Sequence, residues 1–137
     1  MNKPITVVKR TTRAKMKRPE QDLQRQLCKM LQTVLLPGTF WYAVPNGGYR
    51  TPAEAAILQG QGVRAGVPDL AFVHAGKALF LELKAQDGYL TPIQRAVHDE
   101  LRKAGARVEV ARSLNQAFAH LQSFGVPMRE IHWEKAA

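Results

Sequence analysis

Pro68-Asp69-Leu70-Ala71-Phe72-Val73-His74-Ala75-Gly76-Lys77-Ala78-Leu79-Phe80-Leu81-Glu82-Leu83-Lys84 is the stretch whose reading decides the fold. Two apolar runs, 70–73 and 78–83, flank His74-Ala75-Gly76-Lys77, which is the pattern of a β-hairpin. If Ala75-Gly76 is a two-residue turn, His74 pairs with Lys77 and Asp69 falls opposite Glu82. Side chains alternate between faces along a strand. Glu82 and Lys84 then share a face with Asp69, while Leu70, Phe72, Leu79, Leu81 and Leu83 make a core layer on the other. A three-residue turn would put Asp69 on the wrong face.

Two carboxylates set opposite each other repel, and one lysine reduces the repulsion in part. A divalent cation is the simplest use for such a pair, because hard cations take oxygen ligands and keep several waters. Mg²⁺ polarises a phosphate oxygen and lowers the pKa of a bound water. Lys84 could hold the attacking water or stabilise charge on the transition state. The other reading is a solvated face carrying an ordinary Glu/Lys pair. Phe80 and Val73 would be exposed on that face, which counts against it. On the hairpin alone the two readings stand about level.

Outward from the hairpin, the pattern is that of an α/β domain. Pro19 opens a helix whose Leu23, Leu27, Met30, Leu31, Val34 and Leu35 form one apolar stripe, and Pro37-Gly38 stops it. Phe40 to Val44 reads as a strand, with Trp41 a core residue, and Pro45-Asn46-Gly47-Gly48 as a turn. Thr51-Pro52-Ala53-Glu54 is a capping box that opens a short helix to about Gln59. Thr91-Pro92-Ile93-Gln94 is another, with Ile93, Val97, Leu101 and Ala104 on one face of the helix behind it. Residues 107–111 form a strand, and Ser113 caps a last helix ending near Gly125. The order predicts a mixed β-sheet flanked by helices on both faces. We expect a tail over 1–18, a domain over 19–126 and a short C-terminal tail over 127–137.

The 137 residues carry a formal charge of +9, which points to a polyanionic partner, nucleic acid being the commonest. Lys3, Lys9, Arg10, Arg13, Lys15, Lys17 and Arg18 all precede the first acid, Glu20, so the tail reads as a flexible basic arm. No apolar run is long enough to span a bilayer, and the basic N-terminus lacks the apolar stretch of a signal peptide. One cysteine, Cys28, allows no internal disulfide and suits a buried thiol in a reducing, cytoplasmic setting. The four histidines, His74, His98, His120 and His132, have no zinc spacing and read as surface or core residues.

Gly66-Val67-Pro68-Asp69-Leu70 followed by Glu82-Leu83-Lys84 resembles the PD-(D/E)xK nuclease superfamily. The wider set resembles its VRR-NUC branch, the virus-type replication-repair nucleases: Pro45-Asn46-Gly47-Gly48, Gln94 on the following helix, Ala104-Gly105-Ala106 before a valine-rich strand, and Arg112-Ser113. The resemblance covers roughly residues 19–124. It implies a restriction-endonuclease-like fold and Mg²⁺-dependent hydrolysis of DNA phosphodiesters, with Mn²⁺ as a substitute. It implies Asp69, Glu82, the Leu83 carbonyl and a glutamate on the first helix as metal ligands, and Lys84 as the catalytic lysine. Glu20 is the best candidate for that glutamate, and complementing the helix dipole explains it equally well. Gln94 takes a catalytic-site role by resemblance, although capping alone accounts for it.

Asn46, Tyr49, Arg50 and Arg64, in loops before the hairpin, could contact DNA phosphates. Short stand-alone members resemble Holliday-junction resolvases, which implies branched or structured DNA, a homodimer, and DNA repair in a bacterial or phage-infected cell. The competing expectation is a non-catalytic DNA-binding module that retains the nuclease fold.

Overall fold

A computed structural model describes residues 2–9, 18–45 and 50–135. The chain runs β1 (Ile5–Lys9), α1 (Pro19–Val34), β2 (Thr39–Ala43), α2 (Pro52–Gly60), β3 (Leu70–His74), β4 (Lys77–Leu83), α3 (Pro92–Lys103), β5 (Arg107–Ala111), α4 (Leu114–Phe124) and β6 (Ile131–Lys135). Four strands form one mixed sheet in the order β2-β3-β4-β5. The first three are antiparallel neighbours, and β5 lies parallel to β4 because α3 carries the chain back across the sheet.

The hairpin turn is the two-residue one. His74 pairs with Lys77 and Leu70 with Leu81. Ala75 and Gly76 both have positive φ, at 50° and 75°, as a type I′ turn requires. Leu70, Phe72, Leu79, Leu81 and Leu83 all lie in the main core, packed against Leu27, Leu31 and Val34 of α1 and Ala117, Phe118 and Leu121 of α4. Trp41 stacks on Phe72 at 6.4 Å and belongs to the same layer. Cys28 packs against it too, and burial pushes its thiol pKa up, which suits an inert group.

The other face carries Ala71, Val73, Phe80, Glu82, Val108 and Val110 by alternation. α3 covers its β4–β5 half. The buried residues of α3 are Val97 and His98, not the whole stripe expected: Ile93 is 58% exposed and Ala104 is also exposed. The helix is rolled so that a histidine faces the sheet, with Glu82 in the layer beneath it.

Both capping boxes form, Thr51 with Glu54 and Thr91 with Gln94. Ser113 caps α4, and Gly125 ends it in the left-handed region. The two expected tails are corrected in part. Ile5–Lys9 and Ile131–Lys135 pair as parallel strands in a second sheet, although neither stretch shows a clear period. Ile5, Ile131 and Trp133 lean on the main core, with Trp133 6.1 Å from Phe118. A two-stranded unit needs such support to persist. Residues 10–17 of the expected basic arm lie outside the described residues.

Alanine has a Cβ to accommodate at positive φ, whereas asparagine before glycine suits a type I′ turn. Ala75→Asn should therefore stabilise the protein by about 0.5–1 kcal/mol, read from the urea midpoint, without altering the far-ultraviolet spectrum.

Candidate active site

Asp69 sits one step before β3, where the hairpin register sets it opposite Glu82. Its carboxylate is anchored to the partner strand: Leu83 N–H donates to Asp69 Oδ2 at 2.8 Å. On its other side Val44 N–H donates to the Asp69 carbonyl at 2.8 Å. Pro68 before it is buried. Gly66, at φ 83°, lets the approach pass under the first turn of α3. A Cβ there would meet Ile93 Cγ2 at 2.7 Å and the Ile93 carbonyl oxygen at 3.0 Å. Gly66→Ala adds this clash to an unfavourable φ and should cost about 1–3 kcal/mol, measured by denaturant unfolding.

Glu82 is 1% exposed and Lys84 7% exposed, so the pair is not a solvated surface pair. Burial first, then a hydrogen bond and charge repulsion from Asp69, push the Glu82 pKa up to about 9, with Lys84 opposing. Glu82 Oε1 has no hydrogen-bond partner among the described residues. His98 Nε2 lies 3.6 Å from it. Burial, aided by the Arg102 and Lys84 charges, pushes the His98 pKa down.

The structure places the other expected residues unequally. Gln94 forms its cap, with Thr91 N–H donating to Gln94 Oε1 at 3.0 Å, and it also lines a cleft that contains Asp69. This cleft of about 420 Å³ includes Arg50, Arg64, Val63 and Ile93. Arg50 donates to the Pro45 carbonyl at 3.2 Å. Arg64 is held by Glu100 through two bonds of 3.1 and 2.6 Å. Asn46 and Tyr49 lie outside the described residues. Glu20 is exposed, and Ala85 N–H donates to its Oε1 at 3.3 Å. It reaches the residue after Lys84, but no group of three or more potential metal ligands gathers among the described residues.

Two contributors, Arg112 and His98, were not given a site role in the sequence. Arg112 donates to the carbonyls of Ala85 and Gly88, at 2.6 Å each, and so braces the loop that follows Lys84. His98 had a legible signal: it stands one helical turn after Gln94, so a site containing Gln94 has His98 near.

A metal fits what is present. One Asp69 oxygen is taken by a backbone donor, and a buried Glu82 oxygen lacks a hydrogen-bond partner among the described residues. Two adjacent carboxylates, one of which lines an open cleft, are the usual protein share of a Mg²⁺ site.

An acidic pair and a lysine, set on the central hairpin of a helix-flanked mixed sheet, define a nuclease-type domain. The VRR-NUC domain family model matches residues 19–115, and the chain belongs to that family of DNA-processing domains. Two solved structures share the fold. One, a VRR_NUC domain protein, is 22% identical, with a TM-score of 0.64 over 82% of this chain and 92% of its own. The other, a VRR_NUC domain, is 22% identical, with a TM-score of 0.53 over 77% of this chain and 97% of its own. No curated protein matches the chain. No helix among the described residues is long and apolar enough to cross a membrane.

The raised Glu82 pKa has a consequence for stability without metal. The folded protein holds a proton that the unfolded chain, near the ordinary 4.5, releases. That stabilising contribution is full below about pH 4.5 and is lost as pH rises through about 9. In EDTA, Glu82→Gln should flatten the fall in urea midpoint between about pH 5 and pH 9 relative to wild type.

Proposed function

We propose that the protein is a Mg²⁺-dependent endodeoxyribonuclease, with Mn²⁺ as a substitute, selective for branched or structured DNA. The observation that carries this is the buried Glu82, with its unpartnered oxygen, held against Asp69 and beside Lys84. A non-catalytic DNA binder has no use for such a costly arrangement.

In this reading Asp69 and Glu82 hold the ion, with the Leu83 carbonyl as a further ligand. Bound Mg²⁺ would supply Lewis acidity and a more acidic water. The chain's own residues do the rest. The Leu83 N–H keeps Asp69 aimed across the hairpin. Lys84, on the same face as Glu82, orients the attacking water or stabilises developing negative charge. Gln94 lines the cleft beside Asp69, where it can hold a phosphate or water. Arg50 and Arg64 contact the DNA backbone, as do Asn46 and Tyr49 in this reading. Arg64 does so while sharing its charge with Glu100. Glu20, expected as a third carboxylate, acts from the margin: it steadies the Ala85 backbone next to Lys84.

Selectivity for branched DNA rests on the likeness of short family members to junction resolvases. A homodimer would suit symmetric cutting. Phe40 and Tyr42, 67% and 47% exposed on edge strand β2, offer an apolar surface for a second copy.

The test is cleavage of linear, single-stranded and four-way-junction DNA with Mg²⁺, Mn²⁺ or EDTA. Asp69→Ala should abolish cutting, and Lys84→Ala should lower it by roughly 10²–10³-fold or more, while both retain DNA binding in a mobility-shift assay. Wild-type protein that shifts every substrate and cuts none would reinstate the DNA-binding module.

A further inference from the structure

His98 is 1% exposed, and neither of its ring nitrogens has a hydrogen-bond partner among the described residues. Two other histidines show the ordinary way a ring is satisfied. His74 Nδ1 bonds the Gly38 carbonyl at 3.0 Å, and His120 Nε2 bonds the Val110 carbonyl at 3.0 Å. His98 instead points Nε2 at Glu82 Oε1, 3.6 Å away, and that oxygen is itself unpartnered. Two buried polar groups that face each other, each without another partner, are complementary when one is a donor.

We propose that His98 is a positioning residue for the metal-binding Glu82. As the Nε2–H tautomer, with Nδ1 left unprotonated, it donates to Glu82 Oε1 once the carboxylate ionises on the metal and the 3.6 Å gap closes to hydrogen-bond length, and so sets the rotation of the carboxylate. This rests on the metal-dependent reading of the site. The geometry also explains the roll of α3. The helix turns His98 inward beside Val97 and leaves Ile93 exposed, because the sheet beneath presents a carboxylate that needs a donor. Partners that hold a ligating carboxylate in place set affinity through orientation.

The experiment uses two variants matched in length. His98→Met fills the space without a donor, and His98→Gln places an amide N–H near the position of Nε2. Mn²⁺ affinity is measured by titration calorimetry without DNA, and melting in EDTA reports folding. His98→Met should bind Mn²⁺ roughly 10–100-fold more weakly while melting at or above the wild-type temperature. His98→Gln should recover most of the affinity. Wild-type binding by a folded His98→Met overturns the inference. Equal loss in both variants also overturns it, because shape rather than the donor would then decide. Wild-type protein that takes up no Mn²⁺ overturns the metal-dependent reading and this inference with it, a result distinct from either variant outcome.

Discussion

The hydrogen bond from Leu83 N–H to Asp69 Oδ2 ties the beginning of one hairpin strand to the end of the other. It can form in one register alone. That register follows from the two-residue turn at Ala75-Gly76, which needs positive φ at both positions. With one more residue in the turn, Asp69 would face α1 and α4, and the leucine layer would lose its packing. The same constraint therefore sets the core and the acidic pair. The buried leucines resist any slip, and their resistance keeps two repelling carboxylates opposed.

Burial then turns opposition into chemistry. In water, two carboxylates and a lysine would interact weakly. Under α3 they do not relax: Glu82 is driven to hold a proton, and its Oε1 is left without a partner. The divalent ion proposed for this site would replace that proton with a stronger positive charge. The site's surroundings are braced from several directions. Gly66 lets the Pro68-Asp69 approach lie close to Ile93, and Arg112 and Glu20 hold the loop beyond Lys84. The rigid hairpin carries the carboxylates, while the open cleft beside Asp69 leaves space for a phosphate backbone.

Much of this was legible along the chain, for identifiable reasons. The Thr-Pro-x-Glu/Gln boxes, the Ala-Gly turn and the apolar alternation of the hairpin are short-range signals, and the elements they announce formed within a residue or two. The paired strands at the two ends of the described chain were not legible. Their hydrogen bonds join residues more than a hundred positions apart, and their apolar side chains gain shelter from a core that neither builds. The facing of α3 was misjudged on similar grounds, since Ile93 completes a plausible stripe until the sheet beneath proves to hold an acid.

By itself the sequence determined which residues could share a strand face, because alternation and turn type are properties of the local backbone. Glu82 and Lys84 were on one side by alternation, and Asp69 joined them on the condition of a two-residue turn at Ala75-Gly76. What the tertiary structure alone decided was which further groups reach that side. His98 arrives there because α3 crosses β4 and β5, and Arg112 because a parallel neighbour strand ends beside the loop after Lys84. Glu20 stops at Ala85 because the first turn of α1 meets the sheet beyond the carboxylates. Hydropathy and spacing describe a residue's own element. Distances between elements are set by how helices pack their apolar faces against the sheet.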